Sequence, residues 1–272
     1  MTERPEPSAR NEPPDGQVPG AAGASAAGAR ADGARADGAR PAARPRPGTG
    51  RPGRPSLGWT ELVVGVLVYL VLLALVLAPA TQVLIGLGAP PGIALTAVAP
   101  VTALIAAVAA LAVRVRWAPA LGIRSTTLRW LLVAVAAGLL TKVVTVGAIL
   151  AYQALTGDRS NPQEVLTNSA AGGGWQLAGL LLFGAVLVPL GEELLFRGLI
   201  YGSLRRYGVL LGLIVSSVLF GLAHGLNAVL VAAVVLGAVN VVLYERSRSI
   251  WVPMLSHTMF NASAFVLAAV LM

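Results

Sequence analysis

The sequence has no cysteine, only two histidines and few charged residues. The absence of cysteine excludes disulfides and thiolate metal ligands, and it leaves the redox compartment undetermined. Asp, Glu, Lys and Arg together make up 12% of the 272 residues. A soluble core of this size would not leave such long uncharged stretches between its charged residues. The scarcity of charge therefore excludes an ordinary soluble domain.

Apolar residues dominate instead, at 56% of the chain, and the mean hydropathy is +0.75. Helices need about 20 apolar residues to cross the ~30 Å hydrocarbon layer of a bilayer. The sequence predicts an all-α fold, a polytopic transmembrane helix bundle of about seven spans. The predicted spans are Leu62 to Pro79, Ile93 to Val113, Trp130 to about Leu155, a run that begins at Trp175, Val209 to Leu226, Ala228 to Tyr244, and Trp251 to Met272.

The composition divides the chain into three parts. Residues 1–57 are rich in Pro, Gly, Ala and Arg, which predicts a disordered cytoplasmic tail, or a lipid- or partner-binding arm. This tail has no apolar segment of the kind found in signal peptides, so the first span is expected to act as the uncleaved signal. Residues 58–174 contain the first three spans and a polar segment, 157–174, that is predicted to be a loop. Residues 175–272 carry most of the ionisable groups at membrane depth.

Arginines set the predicted orientation. The net charge is +8, and the short loops around Arg114 to Arg129, Arg205 to Arg206 and Arg246 to Arg248 are basic. Basic loops stay in the cytoplasm, so these loops predict a cytoplasmic N-terminus and an external C-terminus. The Ala/Gly/Arg-rich composition is typical of a bacterial protein, so the expected location is the bacterial cell membrane.

Three pairs of residues spaced four apart lie inside the last spans. Residues at this spacing share one face of a helix. A carboxylate inside hydrocarbon is unfavourable by a few kcal/mol and needs a partner, a proton or a function. The sequence therefore predicts that glutamates and histidines from three helices converge on one buried polar site. In the first pair, Arg197 is expected to neutralise Glu193, and Glu192 precedes this pair. In the second, the Phe220 ring is expected to pack beneath the imidazole of His224. In the third, His257 and Asn261 can both donate hydrogen bonds toward one point.

The spacing along the chain supports this convergence. Glu192 and His224 are 32 residues apart, with Gly208 midway, so a helical hairpin that turns at Gly208 places them at the same level. His257 should lie only one or two turns from the cytoplasmic surface. A straight fifth helix would carry His224 to the opposite face, away from His257. The turn must therefore protrude into the cytoplasm, or the helix must break at Gly212, Gly221 or Gly225.

The three motifs resemble those of the CAAX-protease and bacteriocin-processing family of intramembrane proteases (CPBP, also called Abi). The resemblance covers roughly Trp175 to Val266. It implies that Glu192 is the base that activates water and that His224 helps to hold this water or a metal. His257 and Asn261 would stabilise the oxyanion, and Glu193 with Arg197 would be the supporting pair. Each of these roles suits amide hydrolysis inside a membrane.

Two alternatives for the cofactor stay open. Glu192, His224 and His257 are a possible zinc set, because two histidines and a glutamate hold zinc in some hydrolases. The chain lacks the His-Glu-x-x-His motif, and the family has been interpreted both as metalloproteases and as metal-independent glutamate proteases. The resemblance therefore predicts either a zinc site or a metal-free mechanism.

The predicted function is an intramembrane endopeptidase that cleaves membrane-associated proteins or peptides, in a bacterium a membrane peptide or bacteriocin. Its expected partners are the lipid bilayer and a protein or peptide substrate, with no nucleic acid. The main alternative is a non-proteolytic scaffold or bacteriocin-immunity protein of the same fold. A proton-coupled transporter is a weaker alternative, because no repeat relates the two halves of the chain. Lys142, at the middle of the third span, is expected to face the bundle interior or to snorkel toward the membrane surface, and it receives no chemical role. Asn240, Ser216 and Ser217 are predicted to form interhelical hydrogen bonds.

Overall fold

The computed structural model describes residues 56–272, which form eight helices, one short 3₁₀ helix at Ala118–Leu121 and no strand. The predicted all-α fold is therefore confirmed. The predicted disordered tail lies outside the described residues except for Ser56 and Leu57, and Leu57 is already buried in the core. The helices are α1 Trp59–Gly86, α2 Pro91–Val113, α3 Leu128–Thr156, α4 Glu164–Ala171, α5 Gly174–Tyr207, α6 Val209–Leu222, α7 Ala228–Ser247 and α8 Trp251–Leu271.

Six of these helices are long and apolar enough to cross a membrane. The run predicted as a fifth span, Val209 to Leu226, forms only the 14-residue helix α6, followed by a turn in which Gly225 has a φ of +90°. Hydropathy alone could not locate this break, because the turn residues are also apolar. The polar segment 157–174 was predicted to be a loop, but it contains α4, which packs on α2 through the Gly92 amide and the Ser169 hydroxyl.

The arginine-bearing loops gather at one end of the bundle. The indole of Trp59, at the start of α1, donates to the hydroxyl of Tyr207, at the end of α5, at 2.7 Å. Arg114, which follows α2, forms an ion pair of 2.9 Å with the buried Glu61. The predicted orientation requires the basic loops to lie together at one end of the bundle. The assignment of this end to the cytoplasm stays a prediction.

Small residues allow the helices to approach closely. A Cβ atom at Gly138 in α3 would lie 2.1 Å from the carbonyl oxygen of Ser256 in α8. At Gly191 in α5, a Cβ would lie 2.8 Å from the carbonyl oxygen of Pro100 in α2. Close backbone approach of this kind is typical of membrane helices, which have no hydrophobic force to drive their association. These two contacts bring α3, α2 and α5 against the region of the predicted site.

Helix α5 is widened on both sides of the paired glutamates. Its turns are π-helical over Phe183–Leu187 and again over Leu194–Tyr201, with a short α-helical segment, Val188–Glu193, between them. Such wide turns change the direction in which side chains and carbonyls point, and they occur frequently at functional sites. The segment with both glutamates is therefore a locally distinct part of α5.

Candidate active site

A cavity of about 320 Å³ lies among the described helices. Its wall includes Glu192 from α5, His224 from the turn after α6, and both His257 and Asn261 from α8. The structure thus brings together residues from all three predicted motifs around one space. Glu193 and Arg197 lie behind this wall, and both side chains are fully buried.

Glu193 is the centre of the buried polar contacts. Its Oε1 accepts hydrogen bonds from the amide of Asn240 and from Nδ1 of His257, each at 2.9 Å. The guanidinium of Arg197 approaches the same oxygen at 3.0 Å. The arginine neutralises the carboxylate, while the other two contacts connect α5 to α7 and α8. Glu193 therefore fixes the position of the His257 ring.

Glu192 differs from its neighbour because its carboxylate faces the cavity. Its Oε2 atom is buried and has no hydrogen-bond partner in the structure. Nε2 of His257 lies 3.7 Å from this oxygen. A polar separation of this size is longer than a hydrogen bond and suits a pair bridged by a water molecule. Glu192 is thus the acid with an oxygen available for chemistry.

His224 lies two residues beyond the end of α6. Its Nδ1 is 2.8 Å from the carbonyl oxygen of Phe220. A carbonyl can only accept, so this contact assigns the proton to Nδ1 and leaves the lone pair of Nε2 available. The break after α6 also resolves the conflict between a straight helix and convergence, because it keeps His224 beside the same cavity as His257.

Phe220 is an aromatic platform shared by the charged residues. Its ring meets the His224 ring edge to face at 4.8 Å and the His257 ring at 5.6 Å. The Arg197 guanidinium lies 4.4 Å from the centre of the same ring. The expected packing of Phe220 under His224 is therefore present in the structure. The same side chain also holds a second histidine and a cation, which the spacing of the motif did not predict.

Asn261 is held by the widened part of α5. Its side-chain amide donates to the carbonyl oxygen of Gly184 at 3.0 Å, within the first π-helical segment. A side-chain amide has two hydrogens, so a second hydrogen remains for a ligand in the cavity. His257 and Asn261 are about one helical turn apart on α8, as predicted, and both side chains line the cavity.

The possible zinc set does not assemble in this arrangement. Within residues 56–272, no group of three His, Asp or Glu side chains is close enough to hold a metal ion. In each histidine, Nδ1 contacts a protein oxygen, which leaves Nε2 as the ring nitrogen that could bind a ligand. The three proposed donors, Glu192, His224 and His257, are nevertheless not grouped around one point. These residues as placed do not fit a zinc site.

Sequence reasoning did not predict which residues outside the motifs reach the cavity. Tyr69 from α1, Thr96 from α2 and Lys142 from α3 all line it. None of them belongs to a motif. Nothing in the local sequence distinguishes Tyr69 or Thr96 from other polar residues in apolar spans, whereas Lys142 is the single charge within the predicted third span. Asn240 was predicted to form an interhelical hydrogen bond, and it does so, but its partner Glu193 was not foreseen.

Comparison with known proteins gives a match to the part of the chain that carries the three motifs. Residues 174–263 match the family model of type II CAAX prenyl endopeptidase Rce1-like proteins. The predicted resemblance is confirmed. The Rce1-like segment begins at α5, ends within α8, and includes every predicted site residue. The confirmation applies to this segment, and α1 to α4 lie outside it.

A curated protein matches nearly the same length of chain. "Putative membrane peptidase YdiL" of Bacillus subtilis (strain 168) is 29% identical over 89 residues, which are 32% of this chain and 36% of that protein. The match thus spans little more than a third of the relative. No solved structure matches the chain. Together with the six membrane-length helices, these similarities establish a multi-pass membrane protein that contains a CAAX-protease-like segment.

Proposed function

We propose that this protein is an intramembrane endopeptidase that hydrolyses peptide bonds of membrane-associated proteins or peptides. The proposal depends on the Glu192 carboxylate. Glu192 lies in a membrane-length helix and lines the cavity, and its Oε2 has no hydrogen-bond partner in the structure. A buried carboxylate in such a place requires a function. The location of Glu192 in the Rce1-like segment supports a peptidase.

The first step is activation of water. Glu192 takes a proton from a water molecule in the cavity, and the resulting hydroxide attacks the carbonyl carbon of the scissile bond. Nε2 of His224 has a free lone pair and accepts the second hydrogen of this water, which holds the water in place. The Phe220 carbonyl keeps His224 in the required tautomer, because it accepts the proton of Nδ1.

The second step is stabilisation of the negative oxygen of the tetrahedral intermediate. Asn261 donates the hydrogen that Gly184 does not use. His257 donates from Nε2; its Nδ1 already donates to Glu193, so this second donation uses the imidazolium form. Donors held in advance at the position of the developing charge account for much of the rate enhancement in acyl transfer. Glu192 then returns its proton to the leaving amine.

The proposed setting is the bacterial cell membrane, with the N-terminus in the cytoplasm. The gathering of the arginine loops at one end of the bundle supports this orientation. The proposed partners are lipid and a peptide or protein substrate. We propose the metal-free version of the reaction, because Glu192, His224 and His257 are not grouped around one point.

Two variants test the catalytic assignment. Glu192→Gln keeps the size of the side chain, and His224→Phe keeps an aromatic ring but removes both ring nitrogens. Cleavage of an apolar reporter peptide pool by purified protein in detergent is followed by mass spectrometry. We expect Glu192→Gln to lower the rate by about 10²-fold or more, the usual contribution of a general base. The matched control is Glu164→Gln, an exposed acid on α4, which should retain the parent rate.

Two results would oppose the proposal. If Glu192→Gln cleaves as fast as the parent, Glu192 is not the base. If the folded parent cleaves no peptide in the pool, the non-proteolytic scaffold or immunity protein becomes the better explanation.

A further inference from the structure

Lys142 is a cation that the proposed reaction does not use. It is the only lysine in the chain, and it lies at the centre of α3, far from either end of the helix. Within residues 56–272 it forms no ion pair with a carboxylate. Its Nζ lies 3.5 Å from the centre of the Phe260 ring. A cation at membrane depth is unfavourable without a partner, so its position there indicates a function.

The position of Lys142 connects it to the active site. Lys142 lines the same cavity as Glu192, His257 and Asn261. Its contact residue Phe260 precedes Asn261 and follows His257 by three residues, about 4.5 Å along the helix axis. The ammonium group therefore lies within about one helical turn of the hydrolytic residues. Close packing of α3 on α8 at Gly138 holds it there.

The charges in the cavity are not balanced around Lys142. Arg197 neutralises Glu193 behind the wall, and Glu192 is not within ion-pair distance of Lys142. The Phe260 ring supplies a cation–π contact but no counter-charge. Much of the remaining wall is apolar, with Leu73, Leu77 and Leu95 among its residues. An anionic group that entered this cavity would find one unpaired ammonium.

We propose that Lys142 binds a carboxylate of the peptide substrate and so sets which peptide bond lies at Glu192. This proposal rests on the hydrolytic function above. An extended peptide advances about 3.3–3.6 Å per residue, so the bound carboxylate lies on the order of one to three residues from the scissile bond. The carboxylate belongs either to the free C-terminus of the peptide or to an Asp or Glu side chain.

The test compares peptides that differ only in charge. The full-length protein in vesicles of zwitterionic lipid receives three pools of otherwise identical apolar peptides. One pool has a free C-terminal carboxylate, one a C-terminal amide, and one a C-terminal amide with an internal glutamate. We expect cleavage of one charged pool to exceed cleavage of the neutral pool by about 10- to 100-fold in kcat/KM, mainly through KM, as for a hydrogen bond to a charged group. The preferred pool identifies the source of the carboxylate.

Variants assign this preference to Lys142. Lys142→Met keeps the length of the side chain and should reduce the preference to about onefold, while Lys142→Arg should keep most of it. The matched control is Val143→Met, at the neighbouring exposed position, which should keep the parent preference. Acetylation of the single lysine in the folded parent must have the same effect as Lys142→Met, so the test does not depend on how well that variant folds.

The outcomes separate this inference from the function on which it rests. If the parent cleaves none of the three pools, the proposed peptidase function fails. If it cleaves all pools equally, or if the preference survives both Lys142→Met and acetylation, Lys142 does not bind the substrate, and the peptidase function stands.

Discussion

The buried ion pair between Glu193 and Arg197 makes a strong prediction about stability. Both side chains are 0% exposed, and no nitrogen of the Arg197 guanidinium has a partner that meets hydrogen-bond geometry. Glu193→Gln keeps an oxygen for His257 and Asn240 but leaves the arginine buried without a counter-charge. Breaking a buried pair in this way costs about 3–5 kcal/mol. Arg197→Met should cost less, because Glu193 keeps two hydrogen-bond donors.

The double variant is the informative one. Glu193→Gln combined with Arg197→Met leaves no isolated charge, so it should be more stable than Glu193→Gln alone. Thermal unfolding in detergent, followed by the fluorescence of the five tryptophans, measures the difference. By the scaling for domains of this size, the loss in Glu193→Gln should lower Tm by roughly 6–20 °C. The double variant should recover a large part of that shift.

A second pair with the same chemistry is the control. Arg205 and Glu245 form an ion pair at the end of the bundle, where the arginine side chain is 38% exposed. Arg205→Met should cost about 1 kcal/mol or less, because exposed pairs contribute little. The reasoning is refuted if the losses in Glu193→Gln and Arg197→Met simply add in the double variant, because the two charges would then not compensate each other.

Two further predictions concern packing and metal. Gly138→Ala should destabilise the protein by about 1–3 kcal/mol and lower cleavage, because its Cβ would lie 2.1 Å from the Ser256 carbonyl and α3 would have to move away from α8. Gly147→Ala on the same helix meets nothing within 4 Å and should leave Tm unchanged or raise it slightly, and an equal loss in both variants would contradict the packing argument. For the metal, we expect peptide cleavage to persist after treatment with a chelator, because the three proposed ligands are not grouped around one point. Loss of cleavage that is restored by zinc, together with about one zinc per chain by elemental analysis, would show the opposite.

Local rules predicted much of the site. The spacing of Glu193 and Arg197 predicted their ion pair, and the spacing of Phe220 and His224 predicted the contact of their rings. The equal distances of Glu192 and His224 from Gly208 predicted a hairpin, and the chain does turn there, where Gly208 has a φ of +122°. These predictions succeeded because helical geometry over a few turns depends on the backbone alone.

The number of spans was harder to predict. A run of apolar residues from Val209 to Leu226 has the composition of a membrane helix, yet the helix ends at Leu222. Hydropathy measures transfer into lipid, and it does not distinguish a helix from an apolar turn that is buried in protein. The short helix α4 was missed for a related reason, because its stability comes from packing on α2 and α8 and not from its polar sequence.

Composition and motif spacing were enough to predict an all-α membrane protein in which glutamate, histidine and asparagine lie on converging helices. Hydropathy and the four-residue period of the helix are properties of short stretches of chain, so they could be evaluated without a fold. Helix packing was needed to show that Glu193 orients His257 while Glu192 keeps a free oxygen, and that Lys142 reaches the same cavity. Such contacts depend on how distant helices pack against one another, and a shift of about 1 Å is enough to make or break a hydrogen bond.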